Sequence, residues 1–421
     1  MITRSSWMFW LALSVLTSCT GTPSEESPTP SPSPDTSPTP VPTVTWYGQM
    51  QPLIERACVS CHVEGGIAPF ALETYDQAKI WSAMLNREVQ AGTMPPWMPS
   101  PDCQSFKYAR VLTAEEKSLF QSWYEQGSPE GQPSQAQTTM VPQAESYPEL
   151  GWVDAEVELA EPYTPTGTLQ DDYHCFMVDP ELSSNEQLIG FEVEPDATAM
   201  VHHVLIFAVD RADAEAVDAA DPSLGWSCFG GTETSDPQLL GGWVPGSPPT
   251  LFPENTGINL KAGQVMVMQM HYNLYNTGPV PDQTRMRLQY AREPVTPAVL
   301  AQVAGRNFAI PPNSTDYEVS AQVTLEQPLK VWGMAPHMHT LGSRIGVTYK
   351  SGGQEQCIID IPSWDFHWQQ FYFYQAPSYL SLKKGDVVTL SCVYDNPTDA
   401  TVTHGEGTSD EMCLSFFYLT Q

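Results

Sequence analysis

The chain has 421 residues, with 49 Asp plus Glu against 18 Lys plus Arg and a net charge of −31. That acid excess excludes nucleic acid and an anionic membrane surface as partners, because both would repel it. With 41% hydrophobic, 10% aromatic and only 16% charged residues, the composition is globular, and the length calls for two or three domains.

Residues 1–18 read as a secretory signal: Arg4, then an apolar run from Trp7 to Leu16 that is too short for a permanent membrane span. Leu16-Thr17-Ser18-Cys19 resembles a bacterial lipobox, which implies lipidation of Cys19 and a protein exported to the cell envelope and held there by its lipid anchor alone. Thr20 is not the Asp that signals inner-membrane retention, so the outer membrane is the expected site, with a periplasm-facing position as the other. Export permits disulfides. Residues 19–45 form a linker: 20 of the 26 residues from Thr20 to Thr45 are Pro, Ser or Thr, which cannot bury a core and favour extended conformations.

Residues 46–128 carry Cys58-Val59-Ser60-Cys61-His62. Two thiols at this spacing can add to the two vinyl groups of haem, and the adjacent His62 can turn its imidazole onto the iron. A thioredoxin-like pair would need a βαβ context, and a zinc site a second CxxC; neither is present. The preceding TWYGQMQPLIERA can form a short helix. Met94, in Gly-Thr-Met-Pro-Pro-Trp, is the candidate sixth ligand, with Met84 and Met98 as rivals. Thr113 and Glu116 form a capping box, Leu119, Phe120, Trp123 and Tyr124 an apolar stripe, and Gly127 a stop. The stretch resembles a small all-α class I cytochrome c, which implies covalent haem c. Cys103 has no assigned role in it.

Residues 129–145 read as a second linker. Beyond them helical periodicity is scarce. Short runs such as Leu188 to Val193, Val201 to Val209, Val265 to Tyr272, Lys330 to Met334, Ile345 to Tyr349 and Val387 to Val393 recur between turn residues. They predict two all-β antiparallel, jelly-roll-like sandwiches, over 146–295 and 296–421.

Two histidine clusters stand out. In a regular strand His202 and His203 would face opposite sides, so binding one metal with His271 requires a local bend. Val265, Val267, Gln269 and His271 share one strand face; Met266, Met268, Met270 and Tyr272 take the other. Three imidazoles suit copper or zinc. In the second cluster His337 and His339 share a face and Met338 points away.

HHVLIF, MQMHYN, HMHTLG and GTSDEMC occur in that order, and together they resemble the ligand motifs of the copper type II, ascorbate-dependent monooxygenases, a family that includes peptidylglycine alpha-hydroxylating monooxygenase and dopamine beta-monooxygenase. The resemblance covers roughly residues 150–421. It implies two copper ions: an electron-transfer copper on His202, His203 and His271, and an oxygen-binding copper on the catalytic set His337, His339 and Met412. A thioether beside two imidazoles favours the reduced ion. The resemblance also implies Cys175–Cys228 and Cys392–Cys413 disulfides, and second-shell places for Tyr173 and Gln269 near the first copper. Ala208 stands where the animal hydroxylase has a further Cys, and Cys357 is left over; a Cys103–Cys357 bridge between modules is one pairing open to it.

The function so implied is hydroxylation of a C–H bond of a small or peptide-like organic substrate by O₂. Electrons would come from an external donor through the fused haem, with ascorbate as the family's reductant. Ala335, Leu414 and Phe416 occupy the positions of the Arg, Asn and Tyr that clamp a peptide carboxylate in the peptide hydroxylase, so a peptidylglycine substrate is not expected. The other reading is a non-catalytic copper- and haem-binding redox lipoprotein for copper storage, delivery or sensing.

Overall fold

Short alternating runs between turn residues produce sheets through most of the chain, and only the first hundred described residues are mainly helical. The computed structural model describes residues 43–66, 68–135, 148–166, 171–229, 231–274, 278–375, 379–405 and 409–421. The signal, Cys19, nearly all of the first linker and most of the second therefore lie outside the described residues. No described helix is long and apolar enough to cross a membrane.

A π-helical turn, Trp46–Met50, leads into α1 (Gln51–Ala57), followed by α2 (Tyr75–Ile80), α3 (Ser82–Ala91) and α4 (Ala114–Glu125). Thr113 and Glu116 close a reciprocal capping box on α4, and Gly92 and Gly127 take the left-handed conformation just after α3 and α4. Leu53, Ile54, Leu72, Phe120 and Trp123 form the core of this part. Tyr124, expected on the same apolar stripe, is 44% exposed, because the stripe of a helix of about three turns covers only one side and Trp123 already fills it. Val44 is also buried in this core, and the Trp46 and Tyr47 amides donate to the Pro129 and Glu130 carbonyls.

The segment between α3 and α4 leaves the helical core and runs along the second sandwich as a strap. Ser100 donates its amide to the Asp360 carbonyl (2.8 Å), Lys107 to that of Phe373 (2.8 Å), and Gln375 returns one to Ser105 (3.0 Å). Phe106 stacks on Tyr374 at 5.4 Å within the second sandwich's core. A Cys103–Cys357 disulfide fastens the strap.

The sandwiches share one ten-stranded sheet. Its order is Ala155–Glu158, Arg285–Tyr290, Glu186–Glu194, Thr256–Leu260, Thr296–Gly305, Cys413–Thr420, Leu329–His337 and Tyr372–Phe373, with two short strands added at the sides. A five-stranded sheet ordered Trp226–Ser227, Asp171–Val178, Val265–Asn273, Val201–Val209 and Gln238–Trp243 accompanies its first half. A four-stranded sheet ordered Ser314–Thr324, Val387–Asn396, Gly342–Ser351 and Gln354–Ile361 accompanies its second. The expectation of purely antiparallel sandwiches fails at one place. Thr296, Pro297 and Ala298 pair in parallel with Thr256, Gly257 and Ile258, so the sheet continues from one half into the other. Met266, Met268, Met270 and Tyr272 fill the first core, as their face predicts.

Breaking the Cys103–Cys357 bridge with Cys103→Ser should cost about 2–4 kcal/mol of stability, read as a lower urea midpoint for the second sandwich. An unchanged midpoint would show that the strap's backbone bonds hold it without the bridge.

Candidate metal centres

The first histidine cluster stands on two adjacent strands, with a third flanking them. His271 lies opposite Tyr173 on one neighbour and opposite His203 on the other. The register shifts between Val201 and His203. This is the bend that two consecutive histidines need in order to face one centre, since an extra residue re-aims the side chains that follow it. His203 Nδ1 lies 3.3 Å from His202 Nδ1 and 3.4 Å from His271 Nδ1, and the ligand atoms of all three fall within 4.8 Å of one another.

Two of the three imidazoles are held neutral by burial. Burial, then the neighbouring His271 and His367, push His202 down to about 3, while burial followed by His271 and His202 lowers His203 well below the ordinary range. His271 Nε2 lies 2.9 Å from Asp171 Oδ1. Because a carboxylate only accepts, Nε2 carries the proton and Nδ1 is left with its lone pair toward the centre. Asn273 Nδ2 donates to the same Asp171 oxygen. Tyr173 stacks flat on His271, with ring centres 4.2 Å apart and 7° between planes. Gln269, on the same strand face as His271, instead donates to the Gly231 carbonyl (2.6 Å). It thereby braces the loop that the Cys175–Cys228 disulfide also ties down.

The second cluster sits at the end of the Leu329–His337 strand, where His337 pairs with Leu414. The His337 and His339 rings are 5.0 Å apart and nearly perpendicular, and Met338 is fully buried in the core behind them. His337 Nδ1 faces Gln369 Oε1 and His339 Nδ1 faces the Asp410 carbonyl (2.9 Å), which sets the orientation of both rings. Burial, then His339, push His337 down to about 3. Met412 is brought alongside by Glu411, a buried carboxylate that accepts from the amides of His339 (2.9 Å), Leu341 (2.6 Å) and Met412 (3.3 Å). Burial pushes the Glu411 carboxyl up to about 7. The Cys392–Cys413 disulfide fixes the strand that follows, and Tyr394 donates to the Met412 carbonyl (2.7 Å).

One aromatic ring spans the space between the clusters. Phe366 lies 6.2 Å from the His202 ring and 6.0 Å from the His339 ring, centre to centre. His367 approaches His202 at 5.8 Å and is held by Asp365. His174 belongs to neither centre: it stacks on Tyr163 and faces the Leu224 carbonyl. Sequence reasoning passed over Asp171, Phe366, Gln369 and Glu411, which act through contacts distant in sequence.

The CxxCH segment begins where α1 ends. Cys58 and Cys61 are not bonded to one another or to any other Cys. Burial pushes the Cys58 thiol up to about 12, the reverse of a reactive redox thiol. His62 Nδ1 faces the Phe70 carbonyl at 2.9 Å, leaving Nε2 free. Met94 is half-buried just beyond α3, and the rival Met98 accepts the Asp365 amide on its sulfur (3.3 Å).

Parts of the chain are similar to known proteins. Residues 298–420 match the family model of the copper type II ascorbate-dependent monooxygenase, C-terminal domain. The chain is 25% identical to peptidyl-glycine alpha-amidating monooxygenase of Mus musculus over 254 residues, which is 58% of this chain and 24% of that protein. It is 21% identical to tyramine beta-hydroxylase of Caenorhabditis briggsae over 279 residues, 60% of this chain and 43% of that one. It thus spans under half the length of these relatives. A solved structure of Broad Bean Stain Virus, 8% identical and overlapping 68% of this chain and 95% of its own, reaches a TM-score of only 0.25.

Asp171→Ala should weaken metal binding at the three-histidine cluster by about 10–100-fold, measured by competition with a chelator. Unchanged affinity would mean that strand register alone orients His271.

Proposed function

We propose that this protein is a copper-dependent monooxygenase that hydroxylates a C–H bond of an organic substrate with O₂. The observation that carries the proposal is the convergence of three imidazoles on one point, with the His337/His339 pair facing them across Phe366.

The first cluster fits a copper ion. A tetrahedral ion bonded to nitrogen at 2.0–2.1 Å separates its ligands by about 3.3 Å, and the Nδ1 atoms stand 3.3 and 3.4 Å apart. Bare lone pairs at that spacing repel, so an ion between them suits the arrangement. The second cluster offers the His337 and His339 imidazoles, and Met412 is its natural third ligand. When bound, copper at the second cluster supplies one-electron activation of O₂, and copper at the first stores the second electron. The chain's part is to keep His202, His203 and His337 neutral by burial and to orient the rings of His271, His337 and His339 through Asp171, Gln369 and the Asp410 carbonyl. The Glu411 bonds and the Cys392–Cys413 bridge keep Met412 beside His339. Ascorbate, the reductant in the name of the matching family, is a proposed electron source.

The residues around Cys58 and Cys61 fit a covalent haem c. Two unbonded thiols and an imidazole with a free Nε2 are the donors it requires, and Met94 is the proposed sixth ligand. A haem there supplies single electrons, and its location supports delivery to the first copper. Thr198, four residues before His202, donates to the Gly65 carbonyl (2.9 Å), and the Cys61 thiol faces the Pro245 carbonyl. The whole would be carried on a lipid at Cys19 in the cell envelope, a reading that rests on the leader sequence.

The test is metal content. The chain expressed with cytochrome c maturation and loaded with copper should hold two coppers per haem, falling to one in Met412→Ala under weakly chelating conditions. No retained copper, or one in the parent protein, overturns the two-site reading. For electron delivery, stopped-flow mixing should show reduced haem losing its electron to oxidised copper within the turnover time. A slower transfer would sink haem feeding and leave the monooxygenase standing.

A further inference from the structure

We propose that a cavity where three parts of the chain meet binds a small organic acid through its carboxylate. The cavity measures about 70 Å³, walled by the strap (Trp97, Lys107 and Arg110), by residues 246–251 of the first sandwich, and by Gln370, Phe371 and Phe373 of the second. Nothing in the proposed copper or haem chemistry uses it.

Its electrostatics run against the rest of the molecule. None of the lining residues is acidic, in a chain where acids outnumber bases 49 to 18. Two of those scarce cations line this one cavity. Arg110 donates from Nη2 to Gln370 Oε1 (3.3 Å). Its Nη1 is buried and has no hydrogen-bond partner among the described residues. That atom lies beside Gly246 and the Cys61 sulfur, so a ligand would meet the guanidinium by the edge that faces Gln370; a carboxylate is the anion whose geometry and charge match a guanidinium. Lys107 adds a second positive charge. Phe371, Phe373 and Trp97 offer apolar walls for the acid's hydrocarbon part, the combination expected of a small-molecule site.

The experiment is an NMR titration of the full-length chain with carboxyl-labelled butyrate, and with butyramide as its neutral counterpart. Butyrate should bind at least about tenfold more tightly than butyramide, and Arg110→Gln should weaken butyrate by about tenfold or more. Lys107→Met should weaken it by less. Equal affinity for acid and amide overturns the proposal, as does an Arg110→Gln protein with its parent melting temperature and undiminished butyrate affinity. If that variant fails to fold, the acid–amide comparison on the parent chain decides alone. Equilibrium binding is read without turnover, so the result stands apart from the fate of the copper reading.

Discussion

The register of three neighbouring strands is the constraint on which the site rests. His271 can meet His203 and Tyr173 only because the Val265–Asn273 strand pairs as it does on both sides. Side chains alternate along a strand, so a slip of one residue would turn His271 into the core and Tyr272 outward. The register is secured from behind. The Tyr272 hydroxyl donates to Asp282 Oδ2 (3.1 Å), and the same buried carboxylate receives the Thr284 hydroxyl (2.7 Å) and the Ala197 amide (2.9 Å). Ala197 lies just upstream of the bulge, so one acid fixes both the register of His271 and the approach to His202.

Burial then sets the chemistry. In water, imidazoles would be partly protonated near neutral pH and would repel one another and a cation. Desolvation lowers His202, His203 and His337, leaving ligands that need not lose a proton before they bind. Orientation comes from acceptors, one to each ring: Asp171 for His271, Gln369 for His337 and the Asp410 carbonyl for His339.

Much of this was legible in the sequence because it is local. Period-two alternation located the strand carrying His271 and the direction of Met338, and the capping box located the start of α4. The paired bridges Cys175–Cys228 and Cys392–Cys413 followed from family resemblance and are formed. What escaped is non-local. A single Asp171 in a chain with 49 acids carries no signal until register sets it beside His271. The parallel pairing of Thr256–Leu260 with Thr296–Gly305 has no periodic signature, since alternation reports a strand's faces and not the direction of its neighbour. The strap lacks regular structure of its own, and its place is defined by bonds to Asp360, Phe373 and Gln375 and by the bridge to Cys357, more than two hundred residues further on.

That strap changes how the helical part should be understood. The Pro- and Gln-rich composition of residues 129–145 suggests a flexible tether, with the CxxCH module free to swing. Yet the module is held elsewhere, by the strap on the second sandwich and by contacts of the CxxCH turn itself on the first. Gly246 makes the latter contact possible: it has φ +77°, where L side chains are strained, and any Cβ would collide with Cys61 Sγ. The loop after Trp243 and the CxxCH turn therefore fit only as a pair. The Gln238–Trp243 strand that leads into this loop lies directly beside the strand of His202 and His203. A group carried by Cys61 would thus be fixed one strand and one turn from the first histidine cluster, a separation set by backbone pairing and not by diffusion of a tethered domain.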